Sequence, residues 1–155
     1  MIFYGASSDY SHDLRAGLDR PVDFTRMKAM SQVPVISIVD DDPSVRIATS
    51  RLVRSLGYSV TTFASACDFL SSSQAPEASC LIADVQMPGI SGIELQDLMI
   101  ARGCSTPIIF ITAFPEASIR LKALKAGAVA LLGKPFDESA LIESIDIALG
   151  RREAR

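Results

Sequence analysis

Five short apolar runs alternate with five helix-like stretches from Val35 onward, and this alternation limits the fold of the 155-residue chain more than any other feature. The runs are VISIV (35–39), YSVTTF (58–63), CLIAD (80–84), PIIFIT (107–112) and AVALLG (128–133). Uninterrupted apolar runs of this length are typical of strands that are covered on both faces. Five successive β/α units therefore predict an α/β fold, a five-stranded parallel sheet with helices on both faces.

The helix-like stretches have recognisable ends. Asp42 is a good N-cap and Pro43 a good first helical residue, and apolar residues then recur at helical spacing until Gly57. The other helices are predicted from a Ser65 cap to Leu70, over 93–102, from Glu116 to Ala126 before Gly127, and from an Asp137 cap to Gly150.

The composition is that of a globular protein, with 48% hydrophobic and 21% charged residues, and the length favours one domain. The net charge of −3 gives no basis for direct nucleic-acid binding, which usually requires a basic face. Three cysteines without a C-x-x-C pattern are expected to be reduced thiols with buried packing. The sequence has no run of 18 apolar residues, so we expect a cytoplasmic protein without a membrane-spanning segment.

The chain divides into three parts by sequence pattern. Residues 1–32 mix acidic and basic residues without a sustained period and are predicted to be a flexible N-terminal extension. Residues 33–150 carry all of the β/α units and are predicted to be the folded domain. Residues 151–155 form a short basic C-terminal tail.

Polar side chains occur where the predicted strands end. Asp40 and Asp41 follow the first strand, Asp84 ends the third, Thr112 ends the fourth and Lys134 follows the fifth. In open parallel sheets, the loops at the carboxyl ends of the strands form the ligand crevice. The sequence therefore predicts that carboxylates, a hydroxyl and an ammonium group meet at one edge of the sheet.

Three consecutive aspartates raise an electrostatic problem, because adjacent carboxylates repel by about 3 kcal/mol per close pair at an effective dielectric near 20. A divalent cation such as Mg²⁺, which prefers oxygen ligands, would convert the repulsion between Asp41 and Asp84 into attraction. Asp42 is expected to cap the first helix instead. A carboxylate beside Mg²⁺ can also accept a phosphoryl group, which Lys134 and Thr112 could bind.

The sequence resembles a response-regulator receiver domain, most closely those of the nodulation and nitrogen-fixation transcriptional regulators. The matching stretches are VDDDPSVR, GYSVTTFASACDFL, IADVQMPGISGIEL, IIFITAF and LKAGAVALLGKPF, which together cover about residues 35–149. The resemblance implies the flavodoxin-like (βα)₅ receiver fold and a signalling role in a two-component system.

The resemblance also implies roles for individual residues. Asp84 would be the phosphoacceptor, and Thr112 and Lys134 would contact the phosphoryl group. Asp41 would bind Mg²⁺ directly and Asp40 through water, and the Gln86 backbone carbonyl would complete the protein ligands. The Lys134–Pro135 peptide bond would be cis.

A receiver of this kind is expected not to be an enzyme but to accept phosphate from a sensor histidine kinase. His12, the sole histidine, lies in no amphipathic pattern, so the donor histidine should belong to another protein. Because the sequence has no room for an output domain, we expect a stand-alone receiver. By resemblance, a face within about 115–149 would contact a downstream protein or form a homodimer.

Two other functions remain possible from the sequence. The DDDPS segment loosely fits the D-x-D signature of haloacid dehalogenase-like phosphatases, with Asp40 as nucleophile and Asp42 as acid/base. Leu131 stands three residues before the lysine, where many receivers carry a Tyr or Phe that takes part in the conformational switch. The chain could therefore also be an adaptor that binds its partner regardless of phosphorylation.

Overall fold

The computed structural model describes residues 32–151. The strands are β1 (Val35–Val39), β2 (Ser59–Phe63), β3 (Cys80–Asp84), β4 (Ile108–Thr112) and β5 (Ala130–Gly133). The helices are α1 (Pro43–Ser55), α2 (Ala66–Ser71), α3 (Gly92–Ala101), α4 (Ala117–Lys125) and α5 (Glu138–Ala148), with a 3-10 turn over Ala75–Glu77. Apart from Gln32, the predicted extension over 1–32 lies outside the described residues, as does the predicted tail after Arg151.

The five strands form one parallel sheet in the order β2-β1-β3-β4-β5, which confirms the predicted α/β architecture. The carboxyl ends of β1, β3 and β4 are neighbours, because Val39 pairs with Ala83 and Asp84 pairs with Ile111. Thr112 in turn pairs with Gly133 at the end of β5. The polar residues that follow these strands therefore share one edge of the sheet.

A separate apolar core covers each face of the sheet, because side chains alternate between faces along each strand. One core joins Leu81, Phe110 and Leu131 of the sheet to Phe69, Leu95 and Ala123 of α2, α3 and α4. The other joins Ile36, Ile82 and Ile111 to Val53, Leu141 and Ile145 of α1 and α5. Burial on both faces explains why the strands read as continuous apolar runs rather than alternating ones.

The predicted helix caps are confirmed. Asp42 accepts hydrogen bonds from the N–H groups of Ser44 and Val45, and Ser65 and Asp137 cap α2 and α5 in the same way. Side-chain caps satisfy N–H groups that have no partner inside the helix and stabilise each helix by about 1 kcal/mol.

Two sequence predictions, the burial of the cysteines and the start of β5, need correction. Cys80 is buried, but Cys67 is exposed because it lies on the outer face of the two-turn helix α2, and Cys104 is half-buried. β5 begins at Ala130 rather than at residue 128, because the N–H of Ala128 still bonds the carbonyl of Ala123 and closes α4.

No helix among residues 32–151 is both long and apolar enough to cross a bilayer.

Candidate functional site

Three strand ends carry the same local turn. In each, a side-chain oxygen of the residue at the strand end accepts the backbone N–H two residues later, as Asp and Thr side chains commonly do. The bonds are Asp42 N to Asp40 Oδ1 (2.9 Å), Gln86 N to Asp84 Oδ1 (3.0 Å) and Phe114 N to Thr112 Oγ1 (3.1 Å). These turns fix the two carboxylates and the hydroxyl to the backbone at one edge of the sheet.

Lys134 bridges the two buried carboxylates. Its Nζ donates to Asp40 Oδ2 at 3.1 Å and to Asp84 Oδ2 at 3.0 Å. The backbone of Lys134 is held as well, since its N–H donates to the Thr112 carbonyl at 2.7 Å. Asp40 is fully buried and Asp84 is 5% exposed, so the ammonium group offsets charge that water hardly reaches. The peptide bond from Lys134 to Pro135 is cis, as predicted.

The electrostatic environment shifts the pKa of two of these groups. Burial raises the pKa of Asp40, and this effect outweighs the opposing influence of the Asp42 N–H and the Lys134 ammonium group. Burial alone would lower the pKa of Lys134, but the hydrogen bonds and charges of Asp84 and Asp40 outweigh it and raise that pKa. Lys134 therefore stays charged at neutral pH.

The three consecutive aspartates occupy different environments, which resolves the electrostatic problem of the sequence. Asp40 is buried against Lys134, Asp42 caps α1, and Asp41 is exposed to solvent. Carboxylate oxygens of Asp40, Asp41 and Asp84 all lie within 4.8 Å of one another. The three carboxylates and the Lys134 ammonium group carry a formal charge of −2, and carboxylate oxygens are the ligand type that Mg²⁺ prefers. The residues therefore fit a divalent cation.

Gly92 allows α3 to begin directly against the phosphoacceptor candidate. A Cβ at this position would meet the Asp84 carbonyl oxygen and would stand 2.9 Å from Val85 Cα. The N–H of Gly92 also donates to the Val85 carbonyl at 2.8 Å. Only glycine permits this approach of the helix to the end of β3.

The structure brings together most of the side chains that the sequence singled out. Asp40, Asp41, Asp84 and Lys134 form one cluster, and the fully buried Thr112 lies on the neighbouring strand end. The N–H of Gln86 bonds Asp84, while the predicted role of its carbonyl stays a prediction.

Sequence reasoning missed one contact of this segment. Arg46 Nη1 donates to the Asp40 backbone carbonyl at 2.7 Å. An arginine in the first turn of a helix has many possible partners, so no local pattern indicated this bond.

Leu131 occupies the position where many receivers carry an aromatic residue. Its side chain is 1% exposed and belongs to the core that contains Phe110, its partner across the sheet. A leucine at this position therefore serves the packing of β5 in the structure described here.

A parallel sheet of order 2-1-3-4-5, with paired aspartates and a bridging lysine at its carboxyl edge, defines the receiver class of signalling domains. The comparisons with known proteins agree. The family described as "Response regulator receiver domain" matches residues 36–146, and the chain belongs to this family. Members of the family work with sensor histidine kinases in two-component systems and bind Mg²⁺ at an acidic pocket.

The chain is similar to several named regulators. It is 44% identical over 126 residues to response regulator protein TodT of Pseudomonas putida, covering 81% of this chain and 56% of that protein. It is 38% identical over 116 residues to transcriptional regulatory protein FixJ of Azorhizobium caulinodans, covering 75% of this chain and 55% of that protein. The chain thus spans about half the length of the curated relatives it matches.

Solved structures show the same fold. The response regulator StyR superposes with a TM-score of 0.71 at 44% identity, covering 77% of this chain and 61% of that chain. The FixJ-N structure superposes with a TM-score of 0.70 at 32% identity, covering 80% of this chain and 99% of that chain. These matches confirm the predicted flavodoxin-like receiver fold.

Proposed function

We propose that residues 33–150 form a receiver domain that accepts a phosphoryl group on Asp84 and signals by phosphorylation-dependent protein contacts. The observation that carries the proposal is the Lys134 bridge between Asp40 and Asp84. Asp84 has one oxygen bound by a backbone N–H and the other by an ammonium group that could move onto a phosphoryl oxygen. Lys134 therefore holds the acceptor in the resting state and would bind the product afterwards.

Asp41, Asp84 and the Gln86 carbonyl would hold Mg²⁺ directly, and Asp40 would hold it through water. When bound, the cation supplies positive charge that offsets both the carboxylates and the phosphoryl oxygens. The formal charge of −2 among these three carboxylates and Lys134 supports this assignment, because an incoming phosphoryl group would add further negative charge to the same site.

The transfer joins Asp84 to the phosphorus atom of a phosphohistidine on a sensor kinase. A carboxylate oxygen of Asp84 forms the new O–P bond as the N–P bond breaks, and the imidazole of the kinase leaves with the electron pair. Thr112 lies on the next strand end, where its hydroxyl proton can be donated to a phosphoryl oxygen, since its lone pair already accepts the Phe114 N–H.

The face within about 115–149 is proposed to contact a downstream protein or a second copy. Two large apolar side chains of α4 support this choice, since Leu121 is 56% exposed and Leu124 is 41% exposed. Exposed apolar side chains that lie together commonly mark interaction surfaces. Light scattering with and without phosphorylation, on wild-type protein and on Leu121→Asp, tests whether this face mediates association.

The acceptor assignment is tested by incubating the protein with acetyl phosphate and Mg²⁺ and measuring its intact mass. We expect one added phosphoryl group, and none for Asp84→Asn. Asp42→Asn is the matched control, because asparagine caps a helix as well as aspartate does and should leave phosphorylation intact. Phosphorylation that survives Asp84→Asn would reject the assignment, as would a lack of any phosphorylation in the wild-type protein.

The phosphatase alternative predicts dependence on Asp40 instead. In the structure Asp42, the acid/base of this alternative, accepts the N–H groups of Ser44 and Val45 as the cap of α1. This capping role disfavours Asp42 as acid/base, and with it the phosphatase alternative. Turnover of an aryl phosphate that is lost in Asp40→Asn but retained in Asp84→Asn would favour the phosphatase.

A further inference from the structure

Arg46 is bonded to the aspartate segment at two points. Its backbone N–H donates to the Asp42 carbonyl at 3.0 Å, as the first hydrogen bond of α1. Its guanidinium Nη1 donates to the Asp40 carbonyl at 2.7 Å, a short bond from a charged donor. One residue thus connects both neighbours of Asp41 to the start of the helix.

The Asp40 carbonyl belongs to the peptide group that also contains the Asp41 nitrogen, so the Arg46 bond restrains the orientation of that peptide plane. Asp40 is restrained further, because its backbone N–H donates to the Phe63 carbonyl at 3.2 Å and its carboxylate accepts a hydrogen bond from Lys134 Nζ. Asp41 itself is exposed, and its carboxylate must nevertheless stay near those of Asp40 and Asp84. The bonds to the backbone of Asp40 and Asp42 therefore restrain the main chain on both sides of this exposed carboxylate.

We infer that Arg46 is a positioning residue that pre-arranges Asp41 for a divalent cation. The guanidinium group also occupies the Asp40 carbonyl oxygen, so the segment offers carboxylates rather than its backbone as ligands. This inference rests on the proposed function, in which Asp41 is a direct Mg²⁺ ligand. Groups that orient metal ligands typically change metal affinity by about tenfold or more when they are removed.

The sign of the effect separates positioning from simple electrostatics. Arg46 is positively charged and lies next to a site for a cation, so removing its charge alone would tighten Mg²⁺ binding. Loss of positioning would weaken binding instead. A purely structural role would lower the melting temperature and leave the affinity of the folded protein unchanged.

The test measures Mg²⁺ affinity by chemical-shift titration of ¹⁵N-labelled protein, with the melting temperature recorded for each variant. We expect the Kd of Arg46→Met to rise about tenfold. Arg46→Lys retains a charged donor for the single bond and should stay within about threefold of the wild type. Arg51→Met is the matched control, since Arg46 and the exposed Arg51 both line a cavity of 310 Å³ beside α1, and this change should leave the Kd unchanged or slightly lower.

An unchanged or lower Kd in Arg46→Met would overturn the role of Arg46 and leave the proposed function standing. A wild-type protein that binds no Mg²⁺ at all would overturn the proposed function together with this inference. If Arg46→Met does not fold, Arg46→Gln decides the question. Glutamine carries an amide on a shorter side chain than arginine. A wild-type Kd in Arg46→Gln would overturn the inference, and a raised Kd would support it.

Discussion

Replacing Lys134 with methionine keeps a side chain of similar length but removes the charge between Asp40 and Asp84. At an effective dielectric near 20, each contact of about 3 Å corresponds to about 5 kcal/mol of attraction. The two carboxylates, whose oxygens lie within 4.8 Å of one another, would then repel by about 3 kcal/mol. Both values are gross energies, before the cost of removing the charges from water.

Removing one partner of a buried ion pair costs about 3–5 kcal/mol. We expect about 3 kcal/mol for Lys134→Met, because its side chain is 18% exposed and both carboxylates keep their backbone N–H bonds. For a domain of this size that loss corresponds to a melting temperature about 10 °C lower. Urea unfolding followed by circular dichroism in the presence of EDTA measures the free energy of unfolding without any cation.

Two further measurements test the cause of this loss. Adding Asp40→Asn to Lys134→Met should recover stability, because the repulsion disappears. A group whose pKa is raised in the folded state stabilises the fold at low pH, and this stabilisation is lost as the pH rises through that pKa. The loss in free energy of unfolding caused by Lys134→Met should therefore shrink as the pH is lowered and Asp40 becomes protonated. Lys125→Met, at an exposed position of α4, is the control and should change stability by less than about 0.5 kcal/mol. A Lys134→Met loss below about 1 kcal/mol, or no recovery in the double variant, would refute the reasoning.

Three other predictions follow from the structure. Gly92→Ala should lower the free energy of unfolding by about 1–3 kcal/mol and slow phosphorylation by acetyl phosphate, because the new Cβ forces α3 away from Asp84; wild-type values of both would contradict this. Asp42→Ala should cost about 1 kcal/mol in urea unfolding while Asp42→Asn costs little, and equal losses would argue against the cap. Iodoacetamide at mildly alkaline pH should label the exposed Cys67 in the native protein but Cys80 only after unfolding, because burial raises the pKa of the Cys80 thiol to about 12. Peptide mass mapping measures both labelling rates, and equal rates for Cys67 and Cys80 in the native protein would contradict the burial of Cys80.

The sequence predicted the sheet well because its signals are local. β1 and β3 begin and end where the apolar runs do, since an aspartate follows or ends each of them. The start of β5 was misplaced because Ala128 and Val129 are apolar but still serve the end of α4 and the approach to the strand. Hydrophobic pattern alone does not distinguish these two uses of an apolar residue.

The sequence predicted which side chains lie together at the sheet edge, but not the contacts that they make with one another. The carboxyl ends of parallel strands meet by topology, so Asp84, Thr112 and Lys134 could be placed together from strand assignments alone. Lys134 lies 94 positions after Asp40 and 50 positions after Asp84 in the chain. The geometry of its bridge depends on side-chain packing, which no short sequence pattern contains. The exposure of Cys67 was missed for a similar reason, since a two-turn helix shows too little periodicity to assign its outer face.

The three strand-end turns have a consequence for how such a protein can diverge. They attach the reactive groups to main-chain amides, which every amino-acid substitution short of proline preserves. The outer surfaces of α4 and α5 contribute nothing to those attachments. Substitutions on the outer surfaces of these helices can therefore accumulate without changing how the carboxylates and the hydroxyl are held at the sheet edge.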